Sequence, residues 1–223
     1  MSGNQARELA SMFYAISEAI EAEKDFLTRL DGAIGDADHG ISMSAGFLAV
    51  NAALSKLDMD RCAPADVFAT AANAFLNAVG ASTGPLYATA FLRAAAAARQ
   101  SERLDGAFLC AMFTAIADGI RERGKGTRGD KTMLDAWLPA AEAAHAARRR
   151  GAALSQIARE AAQAAAAGAA ATRAMIASRG RAARVGDRSL GHVDPGAASA
   201  KIIIEAIGEH FGEPVEAESR SGA

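Results

Sequence analysis

Three aspartates lie close together in one short segment of the chain. The segment LDGAIGDADHG occupies residues 30–40 and contains Asp31, Asp36 and Asp38, followed directly by His39. Close carboxylates repel one another unless a cation lies among them, and three carboxylates with several waters suit a hard cation such as Mg²⁺ or Ca²⁺. The segment lacks the later ligands and the final Glu of an EF-hand. A metal site is therefore predicted here, and a capped polar turn is the alternative reading.

Anion contacts are predicted beside these aspartates and in a second loop. A helix-start role, a metal ligand and a phosphate contact all fit His39, and the preference of Mg²⁺ for oxygen favours the phosphate contact. The second loop, GASTGP at residues 80–85, offers hydroxyls on Ser82 and Thr83 before a predicted helix. Helix N-termini favour anions, so both hydroxyls could contact phosphate. An ordinary Gly-Pro helix break is the alternative for this loop.

Two further loops carry cationic side chains among glycines. The loop GKGTRGDKT, residues 124–132, lacks the spacing of a P-loop, and the Met133 that follows it is either a core residue or an apolar wall for a flat base. The loop SRGRAARVGDRSLGHVDPG, residues 178–196, is long for a compact bundle, which is typical of a functional loop. Its Arg181 suits phosphate oxygens, and its Asp194 suits a helix N-cap.

The composition indicates that helices position these loops. Alanine, the best helix former, occurs in runs such as residues 94–98 and 164–167, and no window alternates like a strand. Apolar spacing and breakers predict eight helices, over approximately residues 5–30, 40–57, 64–80, 85–100, 106–123, 131–150, 154–178 and 195–211. Asp130 is the expected N-cap of the sixth. We predict an all-α single domain over residues 1–212, a barrel or bundle of eight antiparallel helices, with a polar C-terminal tail over residues 213–223.

The order of the loops predicts where they meet. Short connections make neighbouring helices antiparallel, so alternate connections lie at the same end of an up-and-down array. All four unusual loops join an odd-numbered predicted helix to the next even-numbered one, whereas the other three connections are plain charged turns. One end of the bundle is therefore predicted to be the functional end, with charged turns at the other.

Bulk properties exclude several classes of protein. The chain has 223 residues, a net charge of −2 and 51% hydrophobic residues, which argues against a nucleic-acid or membrane-surface protein. No apolar run approaches the roughly 20 residues of a membrane span. The two distant cysteines, Cys62 and Cys110, are expected to be reduced core thiols. We therefore expect a cytoplasmic protein with no nucleic-acid or membrane partner.

Taken together, the four loops fit a nucleotide whose phosphates are bridged by metal ions. Carboxylates hold cations, glycine-rich helix starts hold phosphates, and arginine neutralises negative charge. Phosphoryl transfer depends mostly on positioning and charge stabilisation, which these groups supply. No Ser-His-Asp or Cys-His arrangement indicates hydrolysis through a covalent intermediate.

Four ordered motifs resemble a known family. LDGAIGDADHG, GASTGPLYATAFLRAA, GDKTMLDAWLPA and GDRSLGHVDPGAASA are similar to the L subunits (DhaL) of bacterial dihydroxyacetone kinases, which are homologous to the C-terminal nucleotide-binding domain of single-chain dihydroxyacetone kinases. The resemblance covers nearly the whole chain. It implies a barrel of eight antiparallel helices, ADP or ATP bound at one end, and two Mg²⁺ ions held by Asp31, Asp36 and Asp38.

The resemblance also implies individual site residues. It makes Asp31, Asp36, Asp38 and Arg181 the catalytic set, and it implies nucleotide contacts at His39, Gly40, Ile41, Ser42, Ser82, Thr83, Gly124, Met133, Arg181, Asp194, Pro195 and Gly196. Two places depart from the family pattern. The family loop usually reads Gly-Gly-Ala-Ser-Gly-Pro, so which of the two hydroxyls in GASTGP contacts phosphate stays open. The two residues after Gly40 are often Thr and Asn in the family, which leaves the Ile41 and Ser42 contacts in question.

The resemblance further implies the partners and the reaction. The reaction would be phosphoryl transfer to an alcohol group of dihydroxyacetone, as in glycerone kinases, with the ketose held covalently on a separate K subunit. In the phosphotransferase-system version, bound ADP is rephosphorylated by a phosphohistidine M subunit, and in the other version ATP exchanges. The sequence leaves open the donor, the acceptor ketose and a homodimer. The alternatives are a non-catalytic ADP-dependent binding module, the nucleotide domain of a kinase with a different acceptor, and a purely structural bundle.

Overall fold

Helices make up the fold in the computed structural model, which describes residues 2–80 and 82–212. The α-helices within these ranges are α1 Ser2–Ala22, α2 Lys24–Ile34, α3 His39–Leu54, α4 Pro64–Ala78, α5 Thr83–Arg99, α6 Gly106–Gly124, α7 Leu134–Arg149, α8 Leu154–Ala171 and α9 Pro195–Gly212. Two 3₁₀ segments, Thr172–Ala174 and Ala182–Ser189, lie between α8 and α9. No strand occurs in these ranges, so the predicted all-α fold is confirmed. The predicted tail at residues 213–223 lies outside the described residues.

The helices form a ring in chain order. Consecutive helices from α3 to α9 pack against each other, and α1 packs on both α3 and α9 to close the ring. The short helix α2 lies against α3 and α9. The predicted count of eight is approximate, because the first predicted helix is two helices that meet at Glu23 (φ −101°, ψ 8°). No glycine or proline marks this break in the sequence.

Aromatic and alanine-rich faces hold the ring together. Phe13 contacts Phe91 and Phe68 edge-on, with ring centroids 5.3 Å and 5.6 Å apart. Such pairs contribute about 0.5–1.5 kcal/mol beyond the burial of their area. On the other side of the ring, α8 packs between α7 and α9 through small buried side chains, including Ala161 and Ala165. This framework fixes the relative positions of the loops at its ends.

The connection from α8 to α9 begins earlier than the sequence pattern predicts. The predicted helix extends to residue 178, but α8 ends at Ala171. The Thr172 hydroxyl donates to the Ala169 carbonyl oxygen at 2.6 Å and accepts from the Asp194 backbone N–H at 2.9 Å. The hydrogen bond from Asp194, which lies 22 residues further along the chain, thereby directs the end of α8 toward the start of α9.

Within the two described ranges, the helices do not combine the length and apolar character that crossing a bilayer requires.

Candidate active site

A cleft of about 730 Å³ opens at one end of the ring. Residues from all four unusual loops line it, as the order of the loops predicts. From the predicted set, the lining includes Asp31, Asp36, Asp38, His39, Ser42, Ser82, Thr83, Gly124, Met133, Arg181, Asp194, Pro195 and Gly196. This volume is in the usual range for a small-molecule site.

The three aspartates of the first loop form a compact acidic cluster. One carboxylate oxygen from each of Asp31, Asp36 and Asp38 lies within 4.8 Å of the others. Buried Asp31 accepts hydrogen bonds from the backbone N–H groups of Asp38 at 3.0 Å and His39 at 3.2 Å. Between the two exposed aspartates, Ala37 adopts a φ of 62°, which is uncommon for a residue with a Cβ atom. The cluster offers only hard oxygen donors, and these fit Mg²⁺.

Two glycines give this loop its shape. A Cβ atom on Gly35 would overlap the Asp31 carboxylate, and one on Gly40 would overlap the Lys24 carbonyl oxygen and the Thr28 hydroxyl. Gly40 therefore allows α3 to pack closely on α2 and does not line the cleft. The Ile41 side chain is 59% exposed and also lies outside the lining. The structure thus places these two expected nucleotide contacts away from the cleft.

Arg181 lies across the acidic cluster. Its Nη1 forms ion pairs with Asp36 and, at 2.9 Å, with Asp38. The guanidinium lowers the pKa of the Asp36 carboxyl, and hydrogen bonds to the two carboxylates raise the pKa of Arg181. From its sequence context, Arg181 is expected to contact phosphate. In this structure it instead neutralises two of the three carboxylates, a position from which it can also reach an anion in the cleft.

The loop that carries Arg181 is attached to its neighbours at two places. Ile34 at the end of α2 packs with Ala177 and Ala182 in a small apolar cluster. Asp130, from the loop before α7, accepts hydrogen bonds from the Ser178 hydroxyl at 2.7 Å and the Arg179 Nε at 3.3 Å. The Ser178 hydrogen bond is the largest cause of the lowered pKa of Asp130. Asp130 is thus a bridge between two loops.

The expected N-cap role of Asp130 is wrong, because α7 begins further along the chain. The helix starts at Leu134, and the carboxylate of buried Asp135 accepts from the backbone N–H groups of Gly129 at 2.6 Å and Thr132 at 2.8 Å. The predicted N-cap at the start of α9 is present, since Asp194 Oδ2 accepts from the Ala197 N–H at 2.7 Å. Burial raises the pKa of Asp194 to about 7.

A buried lysine, one of the cationic residues of the loop before α7, lies in the wall of the cleft. Lys131 is only 1% exposed, and its ammonium donates to the carbonyl oxygens of Thr172, at 2.7 Å, and His192. Burial lowers the pKa of Lys131, and the nearby Asp194 carboxyl acts in the opposite direction. Lys131 therefore ties the end of α8 and the start of α9 to the loop before α7.

We expect Lys131→Met to lower the free energy of unfolding by about 2–3 kcal/mol, because the buried Thr172 carbonyl oxygen and the part-buried His192 carbonyl oxygen lose a charged donor. Urea denaturation measures this change. Lys125→Met is the matched control, since Lys125 is exposed in the preceding part of the same loop, and it should change stability by less than about 0.5 kcal/mol. Equal stability of the two variants would contradict the tethering role of Lys131.

His39 and Met133 occupy different parts of the lining. His39 is buried, its Nε2 lies 2.9 Å from the Ser199 Oγ, and burial lowers the pKa of its ring, which favours neutral imidazole. Met133 is 7% exposed, as expected for a core residue, and it also lines the cleft, as expected for an apolar wall against a base. Sequence reasoning missed the apolar lining beside Met133, which includes Leu86 and Ile120. In the sequence, the only indication that these two residues line the cleft is that each lies in a helix next to one of the four loops.

Comparisons with known proteins agree with this architecture. The DAK2 domain model matches residues 33–209. The chain is 37% identical to the PEP-dependent dihydroxyacetone kinase 1, ADP-binding subunit DhaL, of Listeria innocua, over 85% of this chain and 89% of the relative. It is 36% identical to the corresponding ADP-binding subunit DhaL of Escherichia coli, over 85% and 90%. It is also 32% identical to the L-erythrulose 1-kinase of Mycolicibacterium smegmatis, over 92% of this chain and 36% of that protein.

Solved structures show the same fold. The dihydroxyacetone kinase of C. freundii, in its native form, matches with a TM-score of 0.70 and 23% identity, over 90% of this chain and 34% of that one. The same kinase in complex with AMP-PNP and Mg²⁺ matches with a TM-score of 0.70 and 24% identity, over 90% and 33%. The chain thus spans about a third of the length of that kinase.

Proposed function

Because this chain belongs to the DAK2 domain family, we propose that it is the nucleotide-binding subunit of a kinase for dihydroxyacetone or a related short ketose. It would hold ADP or ATP with Mg²⁺ in the cleft and pass a phosphoryl group to a ketose on a separate K subunit. The observation that supports this proposal most directly is the cluster of Asp31, Asp36 and Asp38, whose carboxylates lie within 4.8 Å of one another on the wall of a nucleotide-sized cleft.

The aspartates would hold two Mg²⁺ ions. Such ions would neutralise negative charge on the phosphate oxygens of the nucleotide during transfer to the ketose hydroxyl. Asp31 is already fixed by two backbone N–H groups and by its burial, so its carboxylate is positioned before any cation arrives. Asp36 and Asp38 form ion pairs with Arg181. Its guanidinium reduces the repulsion between these two carboxylates when no cation is bound. The chain's own contribution is a preorganised set of carboxylates, which lowers the cost of assembling the site.

The rest of the nucleotide would lie along the cleft. Ser82 and Thr83, at the start of α5, and Gly196, at the start of α9, would contact phosphate oxygens with hydroxyl or backbone donors. Cations bound by the aspartates would replace the Arg181 guanidinium there, and the guanidinium would then contact the same phosphates. Met133 and the neighbouring apolar side chains would form the wall against the base.

The acceptor would be supplied by another chain. The relatives matched over most of their length are named as ADP-binding subunits, whereas the match to L-erythrulose 1-kinase covers 36% of that protein. We therefore propose that a K subunit carries the ketose and meets this chain at the mouth of the cleft. Because several relatives are named PEP-dependent, we also propose that a phosphohistidine M subunit recharges bound ADP. Cys62 and Cys110 are buried and form no disulfide within the described residues, which is consistent with a reducing cytoplasm.

The test is identification of the nucleotide that accompanies the purified protein. After denaturation, released small molecules are separated by chromatography, and exchange of labelled ATP into native protein is measured in parallel. Retained ADP that does not exchange is the expected result and supports the M-subunit version. Empty protein that takes up ATP with Mg²⁺ would support an ATP-dependent kinase instead. Absence of any nucleotide under both conditions contradicts the proposal, and nucleotide binding without turnover in the presence of a K subunit would favour a binding module.

A further inference from the structure

The side of α3 that faces away from the ring is apolar along its whole length. Ile41 and Leu48 are 59% and 53% exposed, and Ala45 and Ala52 are exposed as well. The steps of four, three and four residues between these positions place all four on one side of the helix, opposite its buried side. These four residues form the α3 outer face.

The helix itself supplies no charge to this face. Its sequence, HGISMSAGFLAVNAAL, contains no Asp, Glu, Lys or Arg, whereas each of the other α-helices in the described ranges contains at least one. A helix that is apolar on every side is normally buried on every side. The exposed α3 outer face is therefore expected to have an occupant.

The neighbouring helix widens the exposed apolar surface. A Cβ atom on Gly46 of α3 would overlap the side chain of Phe75 on α4, so the two helices approach closely near the middle of the α3 outer face. Leu76, the next residue of α4, is 45% exposed. Contiguous apolar surface of this kind is typical of an interaction site.

The α3 outer face is separate from the cleft. None of its four residues lines the cleft, although Ile41 directly precedes Ser42, which does. From Ile41 to Ala52 the face runs about 16 Å along the side of the ring and away from the mouth, at 1.5 Å per residue. A chain that delivers a ketose at the mouth would leave most of this length uncovered. A different occupant is therefore needed.

The order of large and small side chains fits a second copy of this chain. Two copies related by a twofold axis can pair this face with the helices either parallel or antiparallel. Parallel pairing places each residue opposite itself, so that alanine faces alanine across a gap. Antiparallel pairing places Ile41 opposite Ala52 of the second copy, and Ala45 opposite Leu48 of the second copy. Each large side chain then meets a small one.

We propose that the protein forms a twofold-symmetric dimer in which the α3 outer faces of two copies pack antiparallel against each other. Large side chains opposite small ones allow the two helices to approach closely without voids. The contact removes apolar surface from water and buries no charged side chain of α3. Because α3 begins at the cleft end of the ring, antiparallel pairing directs the two cleft mouths in opposite directions, and both stay accessible.

Sedimentation velocity of the whole chain measures this association. At chain concentrations up to about 100 µM, which reveal a Kd in the micromolar range, we expect the wild type to sediment with the mass of two chains. Leu48→Glu places a charge within the contact and should leave the protein monomeric, with its helical circular dichroism and its Kd for ADP with MgCl₂ unchanged. The inference is thus tested whether or not the proposed function holds.

Leu92→Glu is the matched control, because Leu92 is 51% exposed on α5 and does not line the cleft. This variant should remain a dimer. A monomeric wild type, or a folded Leu48→Glu protein that is still a dimer, would overturn the proposal. A monomeric wild type whose binding to a K subunit is lost in Leu48→Glu would overturn it as well and would assign the face to that subunit.

A mixing experiment tests which residues face each other. Ala45→Lys alone should be monomeric, as Leu48→Glu alone should be, because a symmetric dimer of either variant would bury two unpaired charges. In an equimolar mixture, antiparallel pairing places the introduced lysine of one copy opposite the introduced glutamate of the other, so a mixed dimer should form. Parallel pairing would leave both charges without a partner directly opposite. Absence of a mixed dimer would overturn the antiparallel arrangement.

Discussion

Replacing Asp36 with asparagine is expected to abolish nucleotide retention while the helical ring stays folded. The change removes one negative charge from a three-carboxylate cluster, and the amide that replaces it is a poor ligand for a hard cation. Half of the Asp36 side chain is exposed and its ion pair with Arg181 is accessible to solvent, so we expect the fold to depend little on it. We expect the affinity for ADP with MgCl₂ to fall by about a hundredfold or more, comparable to the upper range for changes around metal sites.

Isothermal titration calorimetry measures this loss, and thermal unfolding verifies that the variant is folded. Asp118→Asn is the matched control. Asp118 is also paired with an arginine and has 49% of its side chain exposed, but it lies on α6 outside the cleft lining. Its affinity for ADP should equal that of the wild type. A folded Asp36→Asn protein that retains ADP as tightly as the wild type would remove the metal-binding role from Asp36.

Replacing Arg181 with alanine is expected to slow phosphoryl transfer by about a thousandfold or more, with a much smaller effect on nucleotide affinity. An arginine that faces the transferring phosphate stabilises charge that develops during the reaction, so its loss lowers kcat more than it raises KM. Arg181 is about 42% exposed and its ion pairs are screened by solvent, so its contribution to folding stability is small. The thermal unfolding midpoint should therefore change little.

The measurement is turnover in the presence of a K subunit that supports the wild-type chain. Arg188→Ala provides the comparison, because Arg188 is an exposed arginine of the same loop that does not line the cleft. Its turnover should be close to that of the wild type. Normal turnover by Arg181→Ala, or an equal loss in both variants, would show that Arg181 has no specific role in transfer.

The sequence predicts those features of the site that depend on local spacing and on chain order. Asp31, Asp36 and Asp38 are close in sequence, so a loop of any compact shape brings them together. The four unusual loops alternate along the chain with plain charged turns. In an antiparallel ring, this order alone places all four functional loops at one end. Both inferences require only the helical pattern, which alanine and the apolar spacing make clear in this chain.

Features that depend on distant partners were not predictable in the same way. Lys131 reads as one more cation in a glycine-rich loop until the structure shows the Thr172 carbonyl, 41 residues away, as its acceptor. Gly40 reads as a ligand contact, whereas the absence of its Cβ atom serves the packing of α3 on α2. The break at Glu23 has no glycine or proline to mark it, and α2, which follows it, packs on α3 and α9, which are distant in sequence or separated by a loop.

The way the ring closes also bears on how the protein folds. The Arg181–Asp38 contact joins residues 143 apart, and the His39–Ser199 contact joins residues 160 apart. Neighbouring helices can pair early as local hairpins, but contacts of this separation form only after the loss of chain entropy that brings α9 onto α1. A partly folded chain would therefore contain most of its helices and the local aspartate cluster, but not the part of the site that the start of α9 and the loop before it supply. Complete nucleotide binding would then require that α9 has closed the ring.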